Sequence, residues 1–195
     1  MVAADASDPE RAAEAARGAA TIYHCVGADY GHWHQLLPPV MAGVMHAAET
    51  TGARLVYGDN LYAYGPVEAP LTEVLPSKAT GPNGRLRAEL AARLLDAHRA
   101  GHLRATIGRA SDFYGPRVRL STVGERVFGA LLRGKPAELL GNPDLPHTVT
   151  YIYDFAEGLV TLGERDEALG EVWHVPSAQT LSLRQFVGLV AAQAG

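Results

Sequence analysis

Two segments of the sequence combine tyrosine with amide, hydroxyl or guanidinium side chains, the groups that bind hydroxyls and carbonyls and exchange protons with them. The first is Asn60-Leu61-Tyr62-Ala63-Tyr64-Gly65-Pro66, and the second is Arg109-Ala110-Ser111-Asp112-Phe113-Tyr114-Gly115-Pro116. A tyrosine phenol can donate a proton to a reacting oxygen or accept one from it. The alternative for each tyrosine is an aromatic ring that packs beside the sheet with its hydroxyl satisfied.

Histidines near the single cysteine form the pattern closest to a metal site. His24 and Cys25 are followed by His32-Trp33-His34. The spacing matches no standard zinc site, and a second cysteine is lacking. We therefore expect no metal, and we expect Cys25 to be a small buried hydrophobic residue at a strand end.

The composition excludes several classes of protein. The chain has 195 residues, a formal net charge of -4 and 47% hydrophobic residues, without a run of lysine and arginine. These values argue against a nucleic-acid partner. The most apolar stretch, 36–45, contains Pro38-Pro39 and is too short to cross a bilayer. A single cysteine cannot form an internal disulfide, which is typical of proteins in the reducing cytoplasm, so we expect a cytoplasmic protein. From the charge and the apolar stretches we expect neither a nucleic-acid nor a membrane partner.

Strand-like and helix-like segments alternate along the first half of the chain. Predicted strands cover 1–4, 21–26, 54–57 and 103–110; predicted helices run from Asp8-Pro9-Glu10 to Gly18, from Pro38-Pro39 to Gly52, and from Arg85 to about Ala100. In the last helix Leu86, Leu90 and Leu94 form one apolar stripe. This alternation predicts an α/β fold, a Rossmann-like doubly wound parallel sheet.

The pattern changes after Pro116. We expect a helix over 121–132, a strand over 149–153, a helix capped by Asp154, a strand over 172–175 and a final helix opened by a capping box from Ser182 to Gln185. The sequence thus predicts a dinucleotide-binding domain over 1–116 and a smaller C-terminal α/β substrate-binding part over 117–195, with a cleft near residue 116.

The order of these motifs resembles the extended short-chain dehydrogenase/reductase superfamily, the NAD(P)-dependent epimerase/dehydratase family. Besides the two tyrosine segments, 4–8, 21–27 and 151–156 resemble family motifs in the right order. The resemblance implies NAD or NADP as cofactor, a small-molecule substrate, and a homodimer formed by the helices from Pro39 and Arg85.

The same resemblance implies roles for individual residues. The implied catalytic residues are Asn60, Tyr64 and Arg85. The implied cofactor-binding residues are Asp5, Ala6, Cys25, Val26, Gly27, Asn60, Arg85 and Ser111. The implied substrate-binding residues are Tyr62, Tyr114 and His147. For Asp5 the alternative to cofactor binding is an acid at a helix entry or in a turn. Asp154, although it lies in a segment that resembles a family motif, is interpreted as a plain helix cap.

Two departures from the family pattern bear on function. The sequence contains no glycine-rich turn that would hold a pyrophosphate. About sixty residues of such a fold, one βαβ unit and its extension, would then precede Met1. Where the family has Tyr-x-x-x-Lys, this chain has Gly81 and Arg85, and the serine position is Asn60. An atypical oxidoreductase, a non-catalytic nucleotide-binding sensor or regulator, and an inactive fragment all remain open.

Overall fold

The computed structural model describes residues 3–194. The helices are α1 (Pro9–Ala15), α2 (Trp33–Thr51), α3 (Pro82–Arg99), α4 (Ala130–Leu132), α5 (Ile152–Glu164) and α6 (Leu183–Ala194). The strands are β1 (Thr21–His24), β2 (Arg54–Asn60), β3 (Arg104–Ala110), β4 (Asp112–Tyr114), β5 (Pro146–His147), β6 (Val149–Tyr151), β7 (Val172–His174) and β8 (Leu181–Ser182).

The chain folds as two compact units. The first comprises residues 1–109 and 159–174, and the second comprises 110–158 and 175–195. The sequence-based division at residue 116 differs, because the chain returns to the first unit for the end of α5 and for β7. Within residues 3–194 no helix combines the length and the apolar character needed to cross a membrane.

The first unit is built on a four-stranded sheet in the order β1-β2-β3-β7. β1 pairs in parallel with β2, and β3 pairs in parallel with β7. Helices α2 and α3 pack on one face of this sheet. On the other face the guanidinium of Arg54 donates to the carbonyl oxygen of Gly163, near the end of α5, at 2.8 Å. The predicted doubly wound α/β sheet is confirmed.

The apolar stripe of α3 lies in the core of the first unit. Leu86, Leu90 and Leu94 are all buried, as predicted, in a cluster that includes Leu55 of β2 and Ile107 of β3. The helix begins at Pro82, where the fixed φ of proline suits a first helical position. Packing of this stripe against the strands fixes α3 on the sheet.

α1 and the segment before it pack on α2. Asp8 caps α1 as predicted, since its carboxylate accepts from the backbone N–H groups of Glu10 and Arg11. The carbonyl oxygen of Ala6 lies where a Cβ on Gly43 would be only 2.2 Å away. Glycine at position 43 therefore permits this close approach of the backbone to α2.

Several element boundaries differ from the sequence-based predictions, and three differences change the interpretation of particular residues. α2 begins at Trp33 and contains Pro38 and Pro39 in its interior, because burial of Trp33 and Leu37 stabilises the turns before the prolines. Asp154 lies within the first turn of α5 and does not cap it. Ala3 and Ala4 are not in a strand, and the remainder of that predicted strand, 1–2, lies outside the described residues.

The second unit has two small sheets and its own apolar core. β4 pairs in parallel with β6, and β5 pairs antiparallel with β8. Where a helix over 121–132 was predicted, a π-helical segment, Gly124–Gly129, leads directly into α4. The capping box that opens α6 is confirmed, since Ser182 and Gln185 exchange side-chain to backbone hydrogen bonds of 2.9 and 3.2 Å.

A buried histidine ends β1 inside the core of the first unit. His24 stacks on the ring of Tyr57 with 5.1 Å between ring centroids. Its Nδ1 atom has no hydrogen-bond partner among the described residues. Burial, and then the charge of Arg87, lower the pKa of His24 to about 4. The imidazole is therefore neutral at physiological pH.

Truncation of the α3 stripe tests the packing. We expect Leu90→Ala to lower the free energy of unfolding by about 2 to 5 kcal/mol, because Leu90 is buried and the change leaves a cavity. Leu189→Ala on α6 is the matched control, since that leucine is 60% exposed. Urea unfolding of both variants measures the difference in the free energy of unfolding. Equal, small losses in the two variants would show that α3 does not pack in the core.

Acid should destabilise the fold through His24. A histidine has a pKa near 6.5 when unfolded, so between about 6.5 and about 4 the unfolded chain binds the additional proton. The stabilising contribution is complete above pH 6.5 and is lost as the pH falls to about 4, by roughly 3 kcal/mol in all. His24→Phe keeps the stacked ring and cannot titrate. Urea unfolding at pH 7.5 and 4.5 should show a larger loss for the wild type, and equal losses would contradict this account.

Candidate functional site

Three charged side chains meet in the interior of the first unit. Asp59 of β2 lies 2.9 Å from Nε of Arg109 on β3 and 3.5 Å from a terminal nitrogen of Arg87 on α3. Residues two apart in a strand share a face, so Tyr57 and Asp59 project toward α3. The ends of two strands and the first turns of a helix are thereby joined through one carboxylate.

The burial of these charges makes the cluster sensitive to loss of any partner. The carboxylate of Asp59 is fully buried, and both guanidiniums are almost so. Removing one member of a buried ion pair costs about 3 to 5 kcal/mol, because the remaining charge has neither water nor a partner. Two cations share one carboxylate here, so the cluster carries an excess positive charge.

Arg87 extends the cluster toward the core. It donates to the hydroxyl of Tyr57 at 2.5 Å, and its Nε atom has no partner among the described residues. Burial and the neighbouring Asp59 carboxylate raise the pKa of Tyr57, so its phenol stays protonated. The guanidinium also lies 4.3 Å from the ring centroid of Trp33, a cation–π contact.

A tyrosine–histidine pair lies beside Arg109. The hydroxyl of Tyr64 is 2.8 Å from Nε2 of His174, the last residue of β7. Arg109 lies over the ring of Tyr64 at 4.8 Å from its centroid. Burial and, less strongly, the Arg109 charge lower the pKa of His174 although Glu73 opposes them. A neutral imidazole can accept the Tyr64 proton, and His174 is half-buried whereas Tyr64 is buried.

Three aromatic rings lie together after β1 and β2. Tyr30 stacks on Trp33 at 4.9 Å and on Tyr62 at 6.3 Å, and the rings of Trp33 and Tyr62 are 5.8 Å apart. The hydroxyls of Tyr30 and Tyr62 are 3.1 Å apart. Trp33 is buried, whereas Tyr30 and Tyr62 are 46% and 38% exposed. We call Tyr30, Trp33 and Tyr62 the aromatic platform.

Asp5, one of the implied cofactor-binding residues, is exposed and is held by its own turn. One carboxylate oxygen accepts from the backbone N–H of Ser7 at 2.9 Å and from its hydroxyl at 2.7 Å. These bonds lower the pKa of Asp5. The side chain of Ala6 packs against the core of the first unit. Cofactor binding by Asp5 and Ala6 stays a prediction.

The segment after β1 is open to solvent. Cys25, Val26 and Gly27 are all exposed. Burial of Cys25, expected from its position at a strand end, is wrong, because β1 ends at His24 and the thiol follows the last strand residue. A Cβ on Gly27 would meet nothing within 4 Å. This segment therefore has room for a bound molecule beside its backbone.

Two predicted catalytic side chains make local hydrogen bonds. The side-chain oxygen of Asn60 accepts from the backbone N–H of Tyr62 at 3.0 Å. Arg85 is exposed and donates to the carbonyl of Thr80, while the family's tyrosine position, Gly81, caps α3. The catalytic and cofactor-binding roles implied for Asn60 and Arg85 stay predictions.

The remaining predicted residues belong to the second unit. Ser111 follows β3 directly. Tyr114 packs against Phe186 with 5.3 Å between ring centroids, and burial raises its pKa. His147 lies 2.8 Å from a carboxylate oxygen of Asp112. The carboxylate of Asp112 orients the partly exposed imidazole of His147. Substrate binding by Tyr114 and His147 stays a prediction.

NAD(P) fits part of this arrangement. The exposed backbone of 25–27 lies at the end of a parallel strand, where such sheets bind nucleotides. Asp5, Asn60 and Arg85 each make a hydrogen bond to a neighbouring residue, and their contacts with the cofactor stay predictions. Within residues 3–194 no glycine-rich turn leads into a helix that could hold the pyrophosphate. Among these residues, no group of three histidine, cysteine, aspartate or glutamate side chains could hold a metal ion.

The sequence analysis did not identify most of the buried cluster. Asp59, Arg87 and His174 were not singled out. One signal for Asp59 was available, because an aspartate in a strand of otherwise buried residues requires a cation. Nothing in the sequence indicated which arginine that would be. Arg87 rather than the motif residue Arg85 is the buried cation of α3.

Comparison with known proteins gives similar folds and one curated relative. UDP-glucuronic acid decarboxylase 1 from Arabidopsis thaliana is 29% identical over 129 residues, which is 61% of this chain and 29% of that protein. The dTDP-glucose 4,6-dehydratase DesIV from Streptomyces venezuelae, solved with NAD bound as a double mutant, has a TM-score of 0.83 at 20% identity. That match covers 96% of this chain and 61% of DesIV.

A second solved structure gives the same result. The epimerase Mth375 from Methanothermobacter thermautotrophicus has a TM-score of 0.85 at 16% identity, covering 99% of this chain and 62% of the epimerase. The chain thus spans about three fifths of the length of these solved structures. The profile of the NAD dependent epimerase/dehydratase family matches residues 1–175, and the chain belongs to that family.

Proposed function

We propose that this chain acts in an atypical NAD(P)-dependent oxidoreductase whose substrate is a sugar nucleotide or another hydroxyl- or carbonyl-bearing metabolite. The observation that carries the proposal is the Tyr64–His174 hydrogen bond of 2.8 Å beside Arg109. It provides a proton donor and acceptor in a chain whose sequence has glycine and arginine where relatives have the tyrosine–lysine pair. Family membership and the sugar-nucleotide enzymes among its structural neighbours support the substrate class.

The chemistry divides between cofactor and protein. NAD(P), when bound, gives or takes the hydride. In the reducing direction, Nδ1 of His174 donates its proton to the carbonyl oxygen, and Nε2 receives the proton of Tyr64. The Tyr64 phenolate that results lies beside the Arg109 guanidinium, whose positive charge stabilises it. The reverse sequence takes the proton from a substrate hydroxyl.

A non-catalytic nucleotide-binding protein is the second candidate. The observation that favours it is the beginning of α3, where Gly81 supplies no hydroxyl and Arg85 bonds the carbonyl of Thr80. Such a chain would bind a nucleotide and turn nothing over. The proposal leaves open whether the cofactor is NAD or NADP. It also includes two expectations, a cytoplasmic location and a homodimer formed through α2 and α3.

Turnover by the 195-residue chain distinguishes the candidates. The chain is incubated with UDP-glucose or dTDP-glucose and with NAD or NADP at several millimolar, and absorbance at 340 nm is followed. We expect a dissociation constant no better than roughly millimolar, about -4 kcal/mol, because the pyrophosphate lacks its usual glycine-rich partner. His174→Gln and Tyr64→Phe should each reduce turnover by about 100-fold or more, as expected for loss of a general acid–base group.

Two further variants separate binding from chemistry. Arg85→Ala should weaken cofactor binding, and Lys78→Ala, in the exposed segment before α3, should not. Unchanged turnover in His174→Gln would overturn the proposed role of the pair. Cofactor binding without turnover of either sugar nucleotide would favour the non-catalytic candidate.

A further inference from the structure

The aromatic platform has a position and a composition that its packing role does not require. Tyr30 follows β1 and Tyr62 follows β2, which are adjacent parallel strands, so both rings lie beyond the carboxyl ends of the sheet. In open α/β sheets ligands bind at that edge. Two large rings that stay 46% and 38% exposed at this edge leave an apolar surface with phenol oxygens on it.

We infer that the aromatic platform binds the pyranose ring of the substrate. One face of a glucopyranose ring carries the axial hydrogens H2 and H4 and the C6 methylene. In an α-linked sugar nucleotide the phosphate leaves from the opposite face, so this apolar face can pack on an aromatic ring while the equatorial hydroxyls project sideways. Phenol oxygens can both donate and accept hydrogen bonds, as sugar hydroxyls do. The Tyr30 and Tyr62 oxygens, 3.1 Å apart, match the spacing of neighbouring hydroxyls on a sugar ring.

The buried ring of the platform, Trp33, is fixed by contacts with the interior of the first unit. The indole N–H of Trp33 donates to the carbonyl of Ala28 at 2.8 Å, and Arg87 lies over the indole ring. Arg87 is in turn held by Asp59 and Tyr57. A surface that is already ordered loses little conformational entropy when a ligand binds, which suits recognition of a small ring with few contacts.

A pyranose fits this surface better than a nucleobase does. A planar base gains most from a slot between parallel rings, or from a ring with a hydrogen-bonding edge beside it. Here the three rings are inclined to one another by 17° to 34° and contact one another, so they leave no slot. What they offer is one broad face with two hydroxyls, the complement of a sugar. This inference rests on the proposed function and narrows its substrate class.

Saturation-transfer NMR on the full 195-residue chain tests the inference. The probes are methyl α-D-glucopyranoside, UDP-glucose and UDP. For the pyranoside we expect the strongest transfer at H2, H4 and the C6 hydrogens, which lie on the face opposite the α-linked substituent. Tyr30→Ala should weaken UDP-glucose and pyranoside binding by about tenfold, and Tyr30→Phe by a few-fold, because the ring remains and one hydroxyl is lost. Tyr153→Ala, which removes a tyrosine that is 55% exposed in the second unit, is the matched control and should change neither.

The three ligands and the variants together distinguish failure of this inference from failure of the proposed function. If Tyr30→Ala weakens UDP binding as much as UDP-glucose binding, the platform stacks the base and the inference is overturned. Pyranoside binding that survives Tyr30→Ala unchanged, in a variant whose thermal unfolding matches the wild type, also overturns it. Platform-dependent pyranoside binding without any turnover would sustain the inference while the proposed oxidoreductase activity fails.

Discussion

The carboxylate of Asp59 is the point on which the arrangement of the first unit depends. It is fully buried and is shared by Arg87 from α3 and Arg109 from β3. A charge in the interior is tolerated only when it is paired, so strand β2, strand β3 and helix α3 cannot shift independently. The carboxyl ends of these elements, where ligands bind in such sheets, are thereby held in register.

The two guanidiniums carry that constraint to different places. Arg109 lies over the ring of Tyr64, whose hydroxyl bonds His174, while Arg87 lies over Trp33, against which the platform tyrosines pack. The proposed proton-transfer pair and the proposed sugar surface are therefore supported from one carboxylate. Substitution at position 59 should disturb both together, whereas substitution of either arginine should disturb mainly its own side.

The fold could be predicted more fully than the site. Periodicity gave α3, its leucine stripe and the parallel sheet, because burial of an apolar face determines these features and leaves a repeat in the sequence. The site depends on which charges meet across β2, β3 and α3, and single-sequence patterns do not encode such pairs. Motif position directed attention to Arg85, which is exposed, although Arg87, two residues later, shares the buried side of the helix with Ala91 and Leu94. The start of α2 was predicted at Pro38-Pro39 because proline is common at the first position of a helix. The helix begins earlier, at Trp33, because burial of that side chain in the tertiary structure outweighs the local preference of proline.

Exchange of the two indole N–H protons tests the central role of Asp59 most directly. The chain has two tryptophans, and the indole of Trp173 donates to the carbonyl of Ala168 at 3.1 Å, a bond independent of Arg87. In Asp59→Asn, hydrogen exchange followed by NMR should accelerate at least tenfold at Trp33 and change little at Trp173, because Arg87 loses its charged partner and with it the support of the Trp33 ring. Unchanged exchange at Trp33, or equal acceleration at both indoles, would contradict the account.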